Sequence, residues 1–198
     1  ATDYGAVVDR CQGLITAVDG ALAASTPNWT ITRAELAYEA AFLRVFADWE
    51  MLVEEVLIRL MTGYDHGTPN STFVPGVTKA ATIADARASL YGGAQYVMWY
   101  DPTKVLTRVT KRMQTSHLES VISSSQLWLE NMAHVRHRIA HRSEDARLKF
   151  DTTTMAISGR RFPASSAGKF LRYRPGGSAR NLDSILLNFK NLAAQLAP

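Results

Sequence analysis

The chain has a single cysteine, Cys11, in 198 residues. One thiol excludes an intramolecular disulfide and any zinc ribbon built from several cysteines, and it suits a reducing compartment. No run approaches about 18 uninterrupted apolar residues, so no membrane-spanning helix is expected. The opening residues, ATDYGAVVDR, lack a basic stretch followed by an apolar core, so no secretory leader is read there. Internal repeats, low-complexity tracts and a clear domain boundary are missing as well. Net charge is low, at +4 from 22 Lys+Arg and 18 Asp+Glu. The small excess is not spread evenly: it lies in residues 101–180, and the rest of the chain is net acidic. What is present is ordinary globular composition, 46% hydrophobic and 20% charged, which excludes wholesale disorder. The expectation is one soluble, cytoplasmic domain whose basic half meets an anionic partner.

The apolar periodicity is helical nearly throughout. It predicts a first helix over 4–24, interrupted by Pro27-Asn28-Trp29-Thr30. Thr30 or Thr32 can cap a long second helix to about Met61, which Gly63 closes. Residues 63–81 read as loop and 82–91 as a short helix. Tyr96–Tyr100 is a brief aromatic segment that Asp101-Pro102 ends. Helices are expected at 103–114 and 117–142, with a break near His117. Residues 150–181 are rich in Thr, Ser, Gly and Pro, which predicts no long helix there. A plain loop or a short β-hairpin near 150–162 is expected instead. A last helix runs from Asn181 or Asp183 to about Leu196. The fold class is all-α, one helical bundle with extra loops over residues 1–198 and a core at about 30–196.

The most informative stretch is 127–142. Placed at 100° per residue, Trp128, Met132, Val135 and Ile139 form one narrow apolar stripe. Glu130, His134, His137 and His141 fall on the opposite side, and Arg136 lies on the flank about 70° from the stripe. Three of the chain's five histidines thus share a face, next to Arg136, Arg138 and Arg142. A solvated polar face is one reading. Zinc is another, since His137 and His141 have the i, i+4 spacing of helix-borne ligands. Against zinc, Arg138 stands where a metalloprotease helix carries Glu, and neighbouring arginines repel a dication.

The string Arg136-His137-Arg138-Ile139-Ala140-His141 resembles the signature of the HEPN family: Arg, a polar residue, three further residues, then His at the end of a helix. The context is similar too. The motif falls late in an all-α chain, after a long helix carrying Phe46-Ala47-Asp48-Trp49-Glu50. Ser143–Phe150 also looks like the segment that follows the motif in bacterial HEPN proteins of toxin and phage-defence loci. The resemblance covers about 30–196. It implies a HEPN-like bundle and a metal-independent endoribonuclease that works as a homodimer, without cofactor. It further implies an antitoxin or sensor protein as partner. An inactive HEPN-like module that binds RNA or protein, and a plain helical interaction protein, are the alternatives.

The chemistry suits the residue types. RNA carries its own nucleophile, the 2′-OH beside the scissile phosphate. Histidine titrates near neutrality and can move the two protons that cleavage requires. Arginine stays charged and grips phosphate oxygens bidentately. His141 is the candidate general acid/base, Arg136 the phosphate clamp and His137 the orienting group. His134, Arg138 and Arg142 are candidates for holding the RNA. The products would be a 2′,3′-cyclic phosphate and a 5′-OH. Positions five apart on a helix diverge by about 140°. Arg136 and His141 therefore converge only if the helix ends between them or if two copies of the motif build one site.

Several features lie outside the motif. Glu50 shares an arc with Leu36, Leu43, Phe46, Val53 and Leu57. It either pairs with Arg136 and positions it, or reaches water at the edge of that arc. Lys104, Arg108, Lys111 and Arg112 form a basic helix face. Arg160, Arg161, Lys169, Arg172, Arg174 and Arg180 alternate with Phe162, Phe170 and Tyr173. That pattern holds single-stranded RNA by charge and stacking, or else marks a surface loop. Trp49, Trp99 and Trp128 are expected in the core or a dimer interface, His66 and His117 at loops or helix ends, and Cys11 in the core.

Overall fold

A computed structural model describes residues 2–64, 71–94 and 97–196. His66 and Tyr96 lie outside the described residues. The described chain is helical, with nine α-helices and one two-stranded sheet, as its periodicity predicts. In order these are α1 (Thr2–Ala23), α2 (Ile31–Met61), β1 (Thr72–Phe73), α3 (Ile83–Tyr91), α4 (Pro102–Thr110), β2 (Met113–Thr115), α5 (His117–Ser124), α6 (Gln126–Ala140), α7 (Glu144–Ser158), α8 (Ala167–Arg172) and α9 (Asn181–Leu196). Among the described residues no helix is long and apolar enough to cross a membrane.

Local chemistry sets the boundaries. The Arg33 amide donates to the Thr30 hydroxyl ahead of α2. Asp101 caps α4 by accepting the Lys104 amide at 3.1 Å, with Pro102 in the first turn. Ser116 caps α5 through the Glu119 amide at 3.1 Å, a capping-box spacing. The helix expected to run to 114 stops earlier, because Met113–Thr115 pairs antiparallel with Thr72–Phe73. The helix expected over 117–142 is two helices parted at Ser125. The second ends at Ala140, leaving 141–143 outside any helix.

The largest departure is α7. Residues 150–158, expected as loop or hairpin, complete a helix of 15 residues. Ser143 caps it by accepting the Ala146 amide, Glu144 and Asp145 fill its first turn, and Gly159 closes it at φ 64°. Thr152-Thr153-Thr154 suggested extended chain because β-branched residues disfavour helix by a few tenths of a kcal/mol each. Here tertiary packing outweighs that. Phe150 and Thr154 are fully buried. The Thr152 and Thr154 hydroxyls bond back to the carbonyls of Leu148 and Asp151.

The residues gather into two compact units. One holds Trp49–Glu130 and the chain from Leu192, with Leu57, Ile58, Met113, Leu118 and Ile122 fully buried. The other, Thr2–Asp48 with Asn131–Asn191, carries the motif. Its core is aromatic: Tyr38, Phe42, Phe46, Phe150, Phe170 and Phe189 are all fully buried. Phe46 meets Phe189 edge-on at 5.9 Å, and Phe150 meets Phe170 likewise at 5.8 Å. Each such ring contributes roughly 1.5–3 kcal/mol through burial. Cys11, Trp49 and Trp99 are buried as expected, and Trp128 is half-buried.

Gly168 lets α8 lie directly on α2. A Cβ there would fall 2.8 Å from the Glu35 carbonyl oxygen and 2.9 Å from its Cα. The Gly168 amide donates to the Glu39 carboxylate at 2.8 Å. Burial pushes the Glu39 carboxyl up, and neighbouring Glu35 adds to this against the Gly168 hydrogen bond. A raised folded-state pKa means the fold binds that proton more tightly than the unfolded chain does. Stability contributed by Glu39 therefore falls as pH rises from the ordinary Glu value of about 4.3 through the raised one. Glu39→Gln keeps a carbonyl for Gly168 and removes the charge. Urea melts should find it more stable than the parent at pH 7, with the difference shrinking near pH 4. A gap that grows on acidification would contradict this.

Candidate functional site

The histidine face forms at the end of α6, against the start of α7. The residues buried on α6 are Leu129, Met132, Ala133 and Val135, whereas Trp128 and Ile139 are only half-buried. The core-facing arc is therefore turned by about 55° from the expected stripe, toward Arg136. Arg136, half-buried, falls within about 20° of the centre of that arc. The three histidines stay on the far side of the helix.

His137 and His141 come together. Their ring centroids are 4.5 Å apart and the planes are inclined at 48°. His141 sits one residue beyond α6, yet its amide still donates to the His137 carbonyl at 2.8 Å. The helical register thus persists to the motif's last residue, and Arg136 remains about 140° round the axis from His141. The His137 imidazole is pushed below its ordinary value, by burial first and then by His141 and Lys149, with Asp145 opposing. That shift favours the neutral ring. Asp145 and Lys149, i and i+4 on α7, pair at 2.9 Å, which holds the Asp145 carboxyl below the usual range. Sequence reasoning missed these two charges. The Ser143-Glu144-Asp145 cap, which announces a helix beside the motif, was the signal available.

His134 is anchored rather than free. Its Nδ1 lies 3.1 Å from the Thr153 hydroxyl, which donates to Asn131 Oδ1 at 3.0 Å. A hydroxyl has one proton to give, so His134 Nδ1 is the donor in this chain. Arg138 is committed too. Its Nε donates to the Ser165 carbonyl at 2.9 Å and its Nη2 to that of Ala164 at 3.3 Å. Those bonds hold a turn in which Ala164 and Ser165 both have positive φ, 55° and 47°, a conformation costly to residues with a Cβ. Asp151, buried at 5% exposure, supports the same turn by accepting the Ser165 hydroxyl at 2.7 Å and Arg147 at 2.9 Å. Arg142 is exposed beside His141. Glu50 is half-buried on α2, and Leu36 of its expected apolar arc is exposed.

The basic-aromatic segment divides. Phe162 and Phe170 are core residues and offer no face to a base, which removes them from the RNA-stacking alternative read in the sequence. Arg180 is buried at 8% exposure and donates to Asp19, Asp183 and Tyr38. On α4, Arg108 stacks on Trp99, and beyond the end of that helix Arg112 donates to the Ser89 carbonyl. Among the described residues no group of three or more His, Cys, Asp or Glu side chains is placed to hold a metal ion.

The fold and site define an all-α protein with paired imidazoles and nearby arginines at a helix end. Compared with known proteins, the chain matches no protein-family model, no curated protein and no solved structure.

Proposed function

We propose that the chain is a HEPN-type, metal-independent endoribonuclease acting as a homodimer, in a toxin–antitoxin or antiphage setting. The observation that carries this reading is the 4.5 Å imidazole pair at the end of the Arg136–His141 string. Cleavage needs one neutral imidazole and one protonated one. The 2′-oxygen attacks phosphorus while its proton passes to the base. The bond from phosphorus to the 5′-oxygen breaks, and that oxygen takes a proton from the acid. Burial and the neighbouring His141 disfavour a charged His137 ring, so the pair resists double protonation, since two charged rings so close repel. His141 carries the proton transfer at the reacting phosphate, and His137 keeps the pair from being doubly charged. Arg136 lies about 140° round α6 from His141 and is only half-buried, so the part of its side chain left exposed would meet the same phosphate from a second copy of the chain and stabilise the charge developing there. A sensor or antitoxin protein would restrain the assembly.

The test is incubation with total cellular RNA, with and without EDTA, followed by end mapping. Cleavage should persist in EDTA and leave 2′,3′-cyclic phosphate and 5′-OH ends. Because burial lowers His137 from the ordinary His value of about 6.5, loss of rate through protonation of His137 should set in only below that pH. Binding of RNA without cleavage at high protein concentration would replace this reading with a non-catalytic HEPN-like module.

A further inference from the structure

We propose that Arg160 and Arg161 form a landing surface for single-stranded RNA beside the histidine pair, with Tyr173 as the base of a stack. This rests on the RNA reading above and adds where the strand is held. The sequence shows six cations between 160 and 180, and the structure sorts them. Arg172 faces Glu35 at 3.9 Å, Arg174 faces Asp19 at 3.8 Å, and Arg180 is bound to Asp19 and Asp183 at 2.7 Å. Arg180 is buried and Arg172 half-buried, while Arg174 is exposed but already faces a carboxylate. Arg160, Arg161 and Lys169 are exposed, and Arg160 lies over two aromatic rings.

Arg160 is also preorganised. Its guanidinium lies 5.1 Å from the Tyr173 ring centre and 5.3 Å from that of Phe162. The two rings meet edge-on at 5.4 Å. A guanidinium fixed over aromatic rings loses little freedom on binding, keeps its donors for phosphate and presents an outer face on which an unpaired base can stack. Phe162 is buried and Tyr173 half-buried, so the layer open to a base is the guanidinium itself. The surface is tied to the motif. Arg161 and Phe162 lead into the 163–165 turn that Arg138 holds, and Arg138 is adjacent to His137. A strand resting on Arg160 and Arg161 is thereby directed toward the end of α6. An unpaired strand fits better than a duplex, whose bases are not free to extend the stack.

The test uses the His141→Ala protein, so that RNA is not consumed, with a fluorescent oligouridylate titrated across a salt series. Arg160→Gln/Arg161→Gln should weaken binding and flatten the log–log salt slope by about 1.4, since each single-strand phosphate contact carries about 0.7. Arg10→Gln/Arg44→Gln, which removes the same charge from α1 and α2, should leave the slope unchanged. Arg160→Lys should keep the slope yet lose affinity, because an ammonium does not stack as a guanidinium does. A matched duplex should bind more weakly than the single strand. Equal effects of the two double substitutions, equal affinity for duplex, or dependence on Arg160 and Arg161 seen only with anionic vesicles or acidic peptides would each overturn the proposal. Cleavage unaffected by Arg160→Gln/Arg161→Gln would defeat this surface alone. Absence of cleavage with a full Arg160/Arg161 effect on binding would defeat the catalytic reading alone.

Discussion

His141→Ala should lower RNA cleavage by about 10²–10⁴-fold, the usual range for losing a positioned acid/base, with an unchanged melting temperature. His141 is exposed beyond the end of α6, and its ring lies against that of half-buried His137, outside the core. Arg136→Ala should be similarly inactive through loss of charge stabilisation. The helix geometry makes a sharper demand. If Arg136 and His141 serve one phosphate from different copies, mixing the two inactive variants rebuilds one intact site in each mixed dimer. Random exchange then returns about a quarter of the parent activity. Mixtures as inactive as their components would show that a single chain holds the whole site. Full activity in His141→Ala would end the catalytic reading.

The largest stability effect should come from Arg180→Ala. The side chain is buried and joins Asp19, Asp183 and the Tyr38 hydroxyl, with α9 capped through its amide to Asp183. Removing it strands two carboxylates and a buried phenol. Breaking a buried charge network costs 3–5 kcal/mol. Asp19 is 30% exposed and Asp183 18%, which places the loss near the lower end, about 3 kcal/mol. For a chain of this size that corresponds to a Tm lower by roughly 6–12 °C. RNA affinity, measured below the melt, should not change, because this arginine's charge is already used. A stable Arg180→Ala protein with weakened RNA binding would reverse the assignment.

These two arginines and the histidine pair show where sequence reasoning held and where it stopped. The helices α1 and α2, the short helix α3 and the start of α9 were legible because they depend on neighbours three or four residues away. The Ser143 cap of α7 was just as local, yet the Thr run masked it, since burial of Phe150 and Thr154 is a tertiary fact. The pairing of Thr72–Phe73 with Met113–Thr115 joins segments some forty residues apart and left no periodic mark. In the motif, the i, i+4 spacing announced that His137 and His141 share a face. It did not disclose that Asp145 and Lys149 of α7 bear on His137.

The sequence by itself determined the all-α class, the place of the Arg136–His141 string at a helix end, and the angular separation of its arginine from its last histidine. All three follow from helical periodicity, which is local. Only the tertiary structure decided which charges remain available. Arg138 and Arg180 read in sequence as surface cations, yet one is bound to a strained turn and the other to two half-buried carboxylates. Arg160, no different from them in composition, is left on the surface over Tyr173. Charge availability depends on which carboxylate or carbonyl lies within about 3 Å, and such neighbours, as with Arg180 and Asp19, are brought together only by folding.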